Sequence, residues 1–304
     1  MEATAAPEQR SSTTLDIASI VVCTFVWGTT FYAITLQLGV VDPVVSVVYR
    51  FALSAGLLFA WCKVTGEKIG LTRAQHLAAA AMGILTFSIN YPLVYVAEQH
   101  VTSGVVAIVF AAMAFINLVL FRILFGQRPR PIAWIGALLG IAGVALISWD
   151  EIATARMSGE ASFGLGISML GVVMAAFGNV AARKGEDLKA PVPSLTAWSM
   201  AYGAAALAIF ALASGRAWTF EATPAYIGSM IYLSVAGSVI AFLLYFGLAR
   251  RRGYGTAAYV SAMAPLVAMF VSGVLEHKSW GAFAFVAVAL VLGGQILLLR
   301  AKRA

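Results

Sequence analysis

Ten stretches of this chain are apolar over about twenty consecutive residues, and segments of that kind are read as membrane-crossing helices. They occupy roughly 17–37, 43–63, 74–96, 101–125, 131–149, 163–182, 193–213, 225–248, 256–275 and 281–299. Inside hydrocarbon every backbone N–H and C=O must be satisfied within the protein, which leaves the helix as the element these runs predict. Pro43, Pro131, Pro193 and Pro224 stand at or near the starts of runs, where a missing N–H costs nothing. Charged residues make up only 11% of the 304, against about a quarter in soluble domains, so most of the surface must face lipid. The first run is too long for a cleaved signal core and has no A-x-A cleavage pattern. It is expected to be retained behind a cytoplasmic tail, residues 1–16.

The net charge of +7 does not indicate nucleic acid, because the basic residues sit in short clusters between apolar runs. With the N-terminus inside, 16 of the 20 Lys and Arg fall in inner segments. Arg156, Arg216 and Lys278 fall in outer ones, and Arg50 lies within a span. The positive-inside rule then places both termini in the cytoplasm, as expected of a multi-pass protein of a bacterial inner membrane. Cys23 and Cys62 form no CxxC or Cys/His pattern, so no metal site or disulfide framework is expected. No phosphate-binding loop appears either, since Gly253-Tyr254-Gly255-Thr256 lacks both the spacing and the lysine. No cofactor is expected.

Shifting the chain by about 150 residues aligns Trp27-Gly28 with Phe177-Gly178, Pro43 with Pro193, Tyr95 with Tyr245 and Gly143 with Gly293. Two five-span repeats are therefore expected, 17–149 and 163–299, joined by an outer linker at 150–162 and followed by an inner tail at 300–304. An odd number of spans per repeat inverts the second copy, a design that recurs in secondary transporters with the substrate near mid-membrane. The residues Trp27-Gly28-Thr29-Thr30-Phe31, Tyr49-Arg50-Phe51, Thr102-Ser103-Gly104, Gly237-Ser238-Val239-Ile240-Ala241 and Ala264-Pro265-Leu266-Val267-Ala268 resemble the drug/metabolite transporter superfamily with its duplicated EamA-type unit. They are most similar to the branch of bacterial aromatic amino acid exporters. Gly126-Gln127 departs from the Gly-Glu common in that family, whereas Leu275-Glu276 keeps the acid. The resemblance implies an all-α membrane protein of ten transmembrane helices around a central cavity, lined mainly by spans 1, 3, 4, 6, 8 and 9.

All 13 Asp and Glu residues lie in tails, loops or span ends, and His76, His100 and His277 also lie at span ends. Proton-coupled transporters usually place an ionisable group in the membrane, and cation efflux needs an anionic partner. A facilitator for neutral or zwitterionic solutes is therefore expected. On the third span Phe87, Asn90, Tyr91, Tyr95 and Glu98 follow three- and four-residue spacing and share a face. Ser234, Ser238, Phe242 and Tyr245 form a similar stripe on the eighth span. Trp27, Met113, Asn179 and Tyr259 complete the expected lining, although packing is an equal reading for the Trp and Met. Pro92 and Pro265 each free a carbonyl four residues back, which accepts from a substrate ammonium or marks a plain kink. Arg50 gates or binds a carboxylate, or else caps a neighbouring helix. Gly136-xxx-Gly140 followed by Gly143 allows close approach to another span of the same monomer, with dimerisation as the alternative.

The expected activity is export of aromatic or other neutral amino acids, or similar small metabolites, by alternating access, with the lipid bilayer as the remaining partner. Efflux of flat lipophilic or cationic drugs is the competing transport reading. An intramembrane enzyme needs acidic pairs or a Ser and His at one depth, and no catalytic or metal-ligating set is apparent.

Overall fold

The computed structural model describes residues 7–154 and 159–300, and every regular element among them is helical. Ten helices follow one another as α1 (Pro7–Thr35), α2 (Pro43–Thr65), α3 (Arg73–Ala97), α4 (Ser103–Phe125) and α5 (Pro131–Thr154), then α6 (Gly159–Asp187), α7 (Val192–Ala213), α8 (Pro224–Arg252), α9 (Tyr254–Leu275) and α10 (Ala282–Arg300). Eight are long and apolar enough to cross a membrane, and α9 and α10 contribute shorter apolar stretches, Met263–Leu275 and Ala282–Leu297. The chain is a multi-pass membrane protein. Each expected span coincides with one helix. Helix also occupies 7–16 and 150–154, because no proline or glycine interrupts the pattern there and hydrogen bonding does not stop at the edge of the lipid.

Local chemistry sets most helix ends. Asp42 accepts from the Val44 N–H at 2.8 Å ahead of Pro43, and Thr72 with Gln75 forms a reciprocal capping box at the start of α3. Gly66 and Gly126 close α2 and α4 with φ of 71° and 63°.

Packing repeats between the halves. α1 packs on α8 and α9 as α6 packs on α3 and α4, while α2 pairs with α7 and α5 with α10. With five helices per half, each helix runs opposite to its counterpart, so these last two pairs lie across the pseudo-two-fold relation. The α5–α10 pair is closed by small residues. A Cβ added to Gly294 would meet the Gly136 carbonyl at 2.3 Å, so the glycines singled out on α5 serve a contact within one chain.

At the start of α4, the Ser103 N–H and hydroxyl donate to the two Glu276 carboxylate oxygens at 3.3 and 2.6 Å. Glu276 follows the last turn of α9 and places its charge at the positive end of α4, tying the halves together. Glu276→Ala is expected to lower stability by about 1–3 kcal/mol, read as a fall in detergent melting temperature. An unchanged melting temperature would remove this tie from the account.

Candidate functional site

The irregular turns of the bundle fall in α3, α4 and α8. α3 widens into a π-helix over Gly83–Asn90, α8 does so over Val235–Ile240, and α4 tightens to a 3-10 turn over Phe110–Ala112. The first two occupy equivalent places in the two halves. In α3 the widening precedes Pro92, which cannot donate to the carbonyl four residues back. In α8 no proline stands within or just after the widened turn, and side chains take up the backbone acceptors instead. Ser238 Oγ donates to the Leu233 carbonyl (2.9 Å), Ser54 Oγ to that of Ser234 (3.2 Å), and Trp27 Nε1 to that of Gly237 (3.1 Å). Trp27 thereby joins the first half to the second at mid-helix.

Beside these turns lies a cavity of about 120 Å³. Its wall comes from α1, α3, α4, α6, α8 and α9, the six helices that the family resemblance implies. The rings of Trp27, Phe31, Tyr91, Phe110, Phe242 and Tyr245 form most of it, with Met113, Pro265, the amides of Asn90 and Asn179, and the hydroxyl-bearing Thr30 and Thr86. Among the described residues no charged side chain lines it. Trp27 packs edge-on against Phe242 (centroids 5.2 Å apart) and tilted against Tyr245 (5.0 Å), while Phe31 meets Phe110 at 5.7 Å.

The two amides differ. Asn179 Nδ2 donates to Met113 Sδ at 3.2 Å and reaches Asn117 Oδ1 at 3.5 Å. Asn90 is 3% exposed and its Oδ1 has no hydrogen-bond partner. A buried acceptor of this kind calls for a donor that arrives from elsewhere.

Other expected residues are placed differently. Phe87 is fully buried behind the wall, against Phe51, Tyr91 and Phe242. Tyr95 is fully buried and donates its hydroxyl to Gln37 Oε1 at 2.7 Å. Ser238 is occupied with the α8 backbone. The side chain of Tyr259 lies outside the described residues. Phe31, Thr30, Thr86, Val94, Ala107 and Phe110 line the cavity without having been singled out. Helical spacing was their signal, since Phe31 stands four residues after Trp27 and Thr86 four before Asn90.

Arg50 is 1% exposed and lies off the cavity wall. Its guanidinium sits 4.6 Å from the Tyr91 ring centroid and 5.1 Å from that of Phe51, and Nε donates to Ser238 Oγ at 3.2 Å. Nη1 has no partner, and no carboxylate lies within ion-pair distance among the described residues.

Glu98 stands at a span end, as expected, but that end is not open to solvent. This residue stands one position past the α3 span, yet it is only 8% exposed and neither carboxyl oxygen has a partner. A span end is not a surface when neighbouring helices cover it. Burial, and secondarily the nearby Glu276, push the Glu98 carboxyl well above the usual carboxylate range, against an opposing pull from Arg50.

A family model described as the EamA-like transporter family matches the chain twice, over residues 15–149 and 162–300. The chain is 27% identical over 281 residues to the "Uncharacterized inner membrane transporter YedA" of Escherichia coli strain K12, covering 91% of this chain and 88% of that protein. It is 28% identical over 260 residues to an "Uncharacterized transporter" of Archaeoglobus fulgidus (83% and 86% covered). It is 26% identical over 268 residues to the "Uncharacterized transporter YdeK" of Bacillus subtilis (83% and 85% covered). A solved crystal structure superimposes with a TM-score of 0.69 at 19% identity over 97% of this chain and 99% of that one, a likeness of fold alone.

Proposed function

The chain belongs to the EamA-like transporter family, and from that premise we propose that it carries aromatic or other neutral amino acids across a bacterial inner membrane by alternating access. The observation that carries this reading is an uncharged cavity walled by six aromatic rings in which Asn90 Oδ1, a buried acceptor, stands unpartnered. A zwitterion suits such a wall. Its ammonium satisfies Asn90 and lies over aromatic faces, its side chain replaces water against the rings, and its own carboxylate balances the charge. A cationic drug brings no such internal balance, and the wall offers it no anion.

The same wall supports a facilitator, because no carboxylate, histidine, lysine or arginine lies among its described residues to tie each substrate to a proton. The orientation proposed has both termini cytoplasmic. In support, Asp16 in the first half of α1 pairs with Arg251 and Arg252 at the end of α8, at 3.0 and 2.5 Å, which gathers basic residues at the end of the bundle where α1 begins.

Purified protein in liposomes is expected to exchange labelled phenylalanine or another neutral amino acid, with no accumulation driven by an imposed pH gradient. Counterflow no faster than in empty liposomes across a full amino acid panel would reject the substrate class. Asn90→Ala is expected to raise the half-saturating concentration about ten- to a hundredfold, the loss of about 1–3 kcal/mol from one buried hydrogen bond. An unchanged value would move the ammonium site elsewhere.

A further inference from the structure

Five polar atoms without partners among the described residues lie at one end of the bundle. They are Gln37 Nε2 just past α1, both carboxyl oxygens of Glu98 past α3, Thr102 Oγ1 ahead of α4, and Ser272 Oγ in the last turn of α9. Around them the apolar side chains of Ile34, Val94 and Val101 are buried. Polar groups sealed without partners cost free energy that water would recover, so this end is more comfortable wet than packed. That is the property expected of the mouth of a pathway seen in its closed state. In the proposed orientation it faces away from the cytoplasm.

We propose that Glu98 is a proton-binding site, and that proton uptake at its carboxyl is linked to closure of this end of the pathway. The inference rests on the transport reading for its consequence and on geometry for the site itself. Closing strips water from a carboxyl that gains no hydrogen bond in return, so the closed end holds the neutral acid, and the proton comes from the aqueous phase on the same side. Opening restores hydration and releases that proton to the side it came from. No net proton crosses, and the facilitator reading stands. The pH on this side then sets how often the pathway closes, not which way substrate runs.

The groups that face Glu98 favour this behaviour. Glu276, past the end of α9, is held by Ser103 at the start of α4 and repels a second charge. Arg50 on α2 attracts one, but it is committed to Ser238 and the Tyr91 ring and makes no ion pair with Glu98. Tyr95, one turn back on the same helix, is tied to Gln37, and His100, two residues on, is tied to Glu160. Among the described residues no directly bonded partner therefore stabilises an ionised Glu98 in the closed arrangement. The sign follows. Closure takes up a proton between the ordinary carboxylate pKa and the raised value of the closed state, and the closed population falls as pH rises through that window.

The first test needs no substrate. Infrared spectra of the purified protein at neutral pH are expected to contain the C=O stretch of about one buried protonated carboxyl that Glu98→Gln removes and Glu98→Asp retains at a shifted frequency. A wild-type spectrum without that band, or one that Glu98→Gln leaves unchanged, overturns the site. The second test uses labelled phenylalanine counterflow in liposomes with pH varied on one side at a time. Wild-type rate is expected to depend on pH on the Glu98 side, and Glu98→Gln, which mimics the neutral acid, to be flat. Equal pH dependence in both proteins overturns the linkage. Should no amino acid exchange at all, the infrared band still decides the site, so the failure of the transport reading stays separate.

Discussion

Gly83→Leu is expected to abolish recovery of folded, monodisperse protein, because the obstacle it meets is backbone. A Cβ on Gly83 would lie 2.3 Å from the Ser199 carbonyl and 3.0 Å from the Gly203 nitrogen, and one on Gly203 would lie 2.7 Å from the Gly83 carbonyl. At this crossing α3 and α7 touch main chain to main chain, and neither can yield without moving a whole helix. Overpacking typically costs about 1–3 kcal/mol when side chains relax, and here the cost should exceed the upper end. That is a large share of a total stability of about 5–15 kcal/mol. The π-helical turn that carries Asn90 begins at Gly83, so a partly folded variant should also lose transport. Gly56→Ala serves as control. Nothing lies within 4 Å of the added methyl, and stability should stay level or rise by up to about 1 kcal/mol. Size-exclusion profiles and melting curves in detergent read both. A monodisperse Gly83→Leu with wild-type melting would contradict the close crossing.

Trp27→Ala is expected to lower counterflow at least about a hundredfold while the protein still folds, since small displacements at a site can cost that much. Its indole performs two tasks at once. It forms part of the cavity wall against Phe242 and Tyr245, and its N–H holds the Gly237 carbonyl within the π turn of α8. Truncation lets the wall collapse and loosens a connection between the halves. Trp27→Phe separates the tasks, keeping a ring and losing the hydrogen bond, and a loss of about tenfold is expected. If Trp27→Ala transports at wild-type rate, the cavity described is not on the substrate path.

Much of this arrangement is readable along the chain. Hydropathy locates all ten helices, because lipid demands a minimum apolar length whatever the neighbours are. The prolines mark the starts of α2, α5, α7 and α8, and the Gly136–Gly140 spacing marks a close contact that α10 fills with Gly294. Asn90 and Tyr91 on α3 and Phe242 and Tyr245 on α8 belong to stripes that spacing picks out, Trp27, Met113 and Asn179 were singled out one by one, and the cavity wall includes all seven.

Phe87 and Tyr95 show where spacing stops working. Four-residue spacing puts them on one face with Tyr91 only if α3 turns at 3.6 residues throughout. The π-helical stretch over Gly83–Asn90 turns more slowly, so the phase slips and Phe87 rotates behind the wall. Tyr95 is withdrawn by a partner just past the end of α1, Gln37, that no local pattern announces.

What the residues determined by themselves was the number of membrane crossings and the duplicated unit, since hydropathy and motif are properties summed along a segment, whereas the six cavity-lining helices came only as what the family resemblance implies. What only the tertiary structure decided was the environment of single polar groups. Arg50 rests on aromatic faces with Ser238 of the other half, and Glu98 is sealed at a span end that reads as surface. Burial depends on which helices come to lie over a residue, and that is settled by packing among segments far apart in the chain.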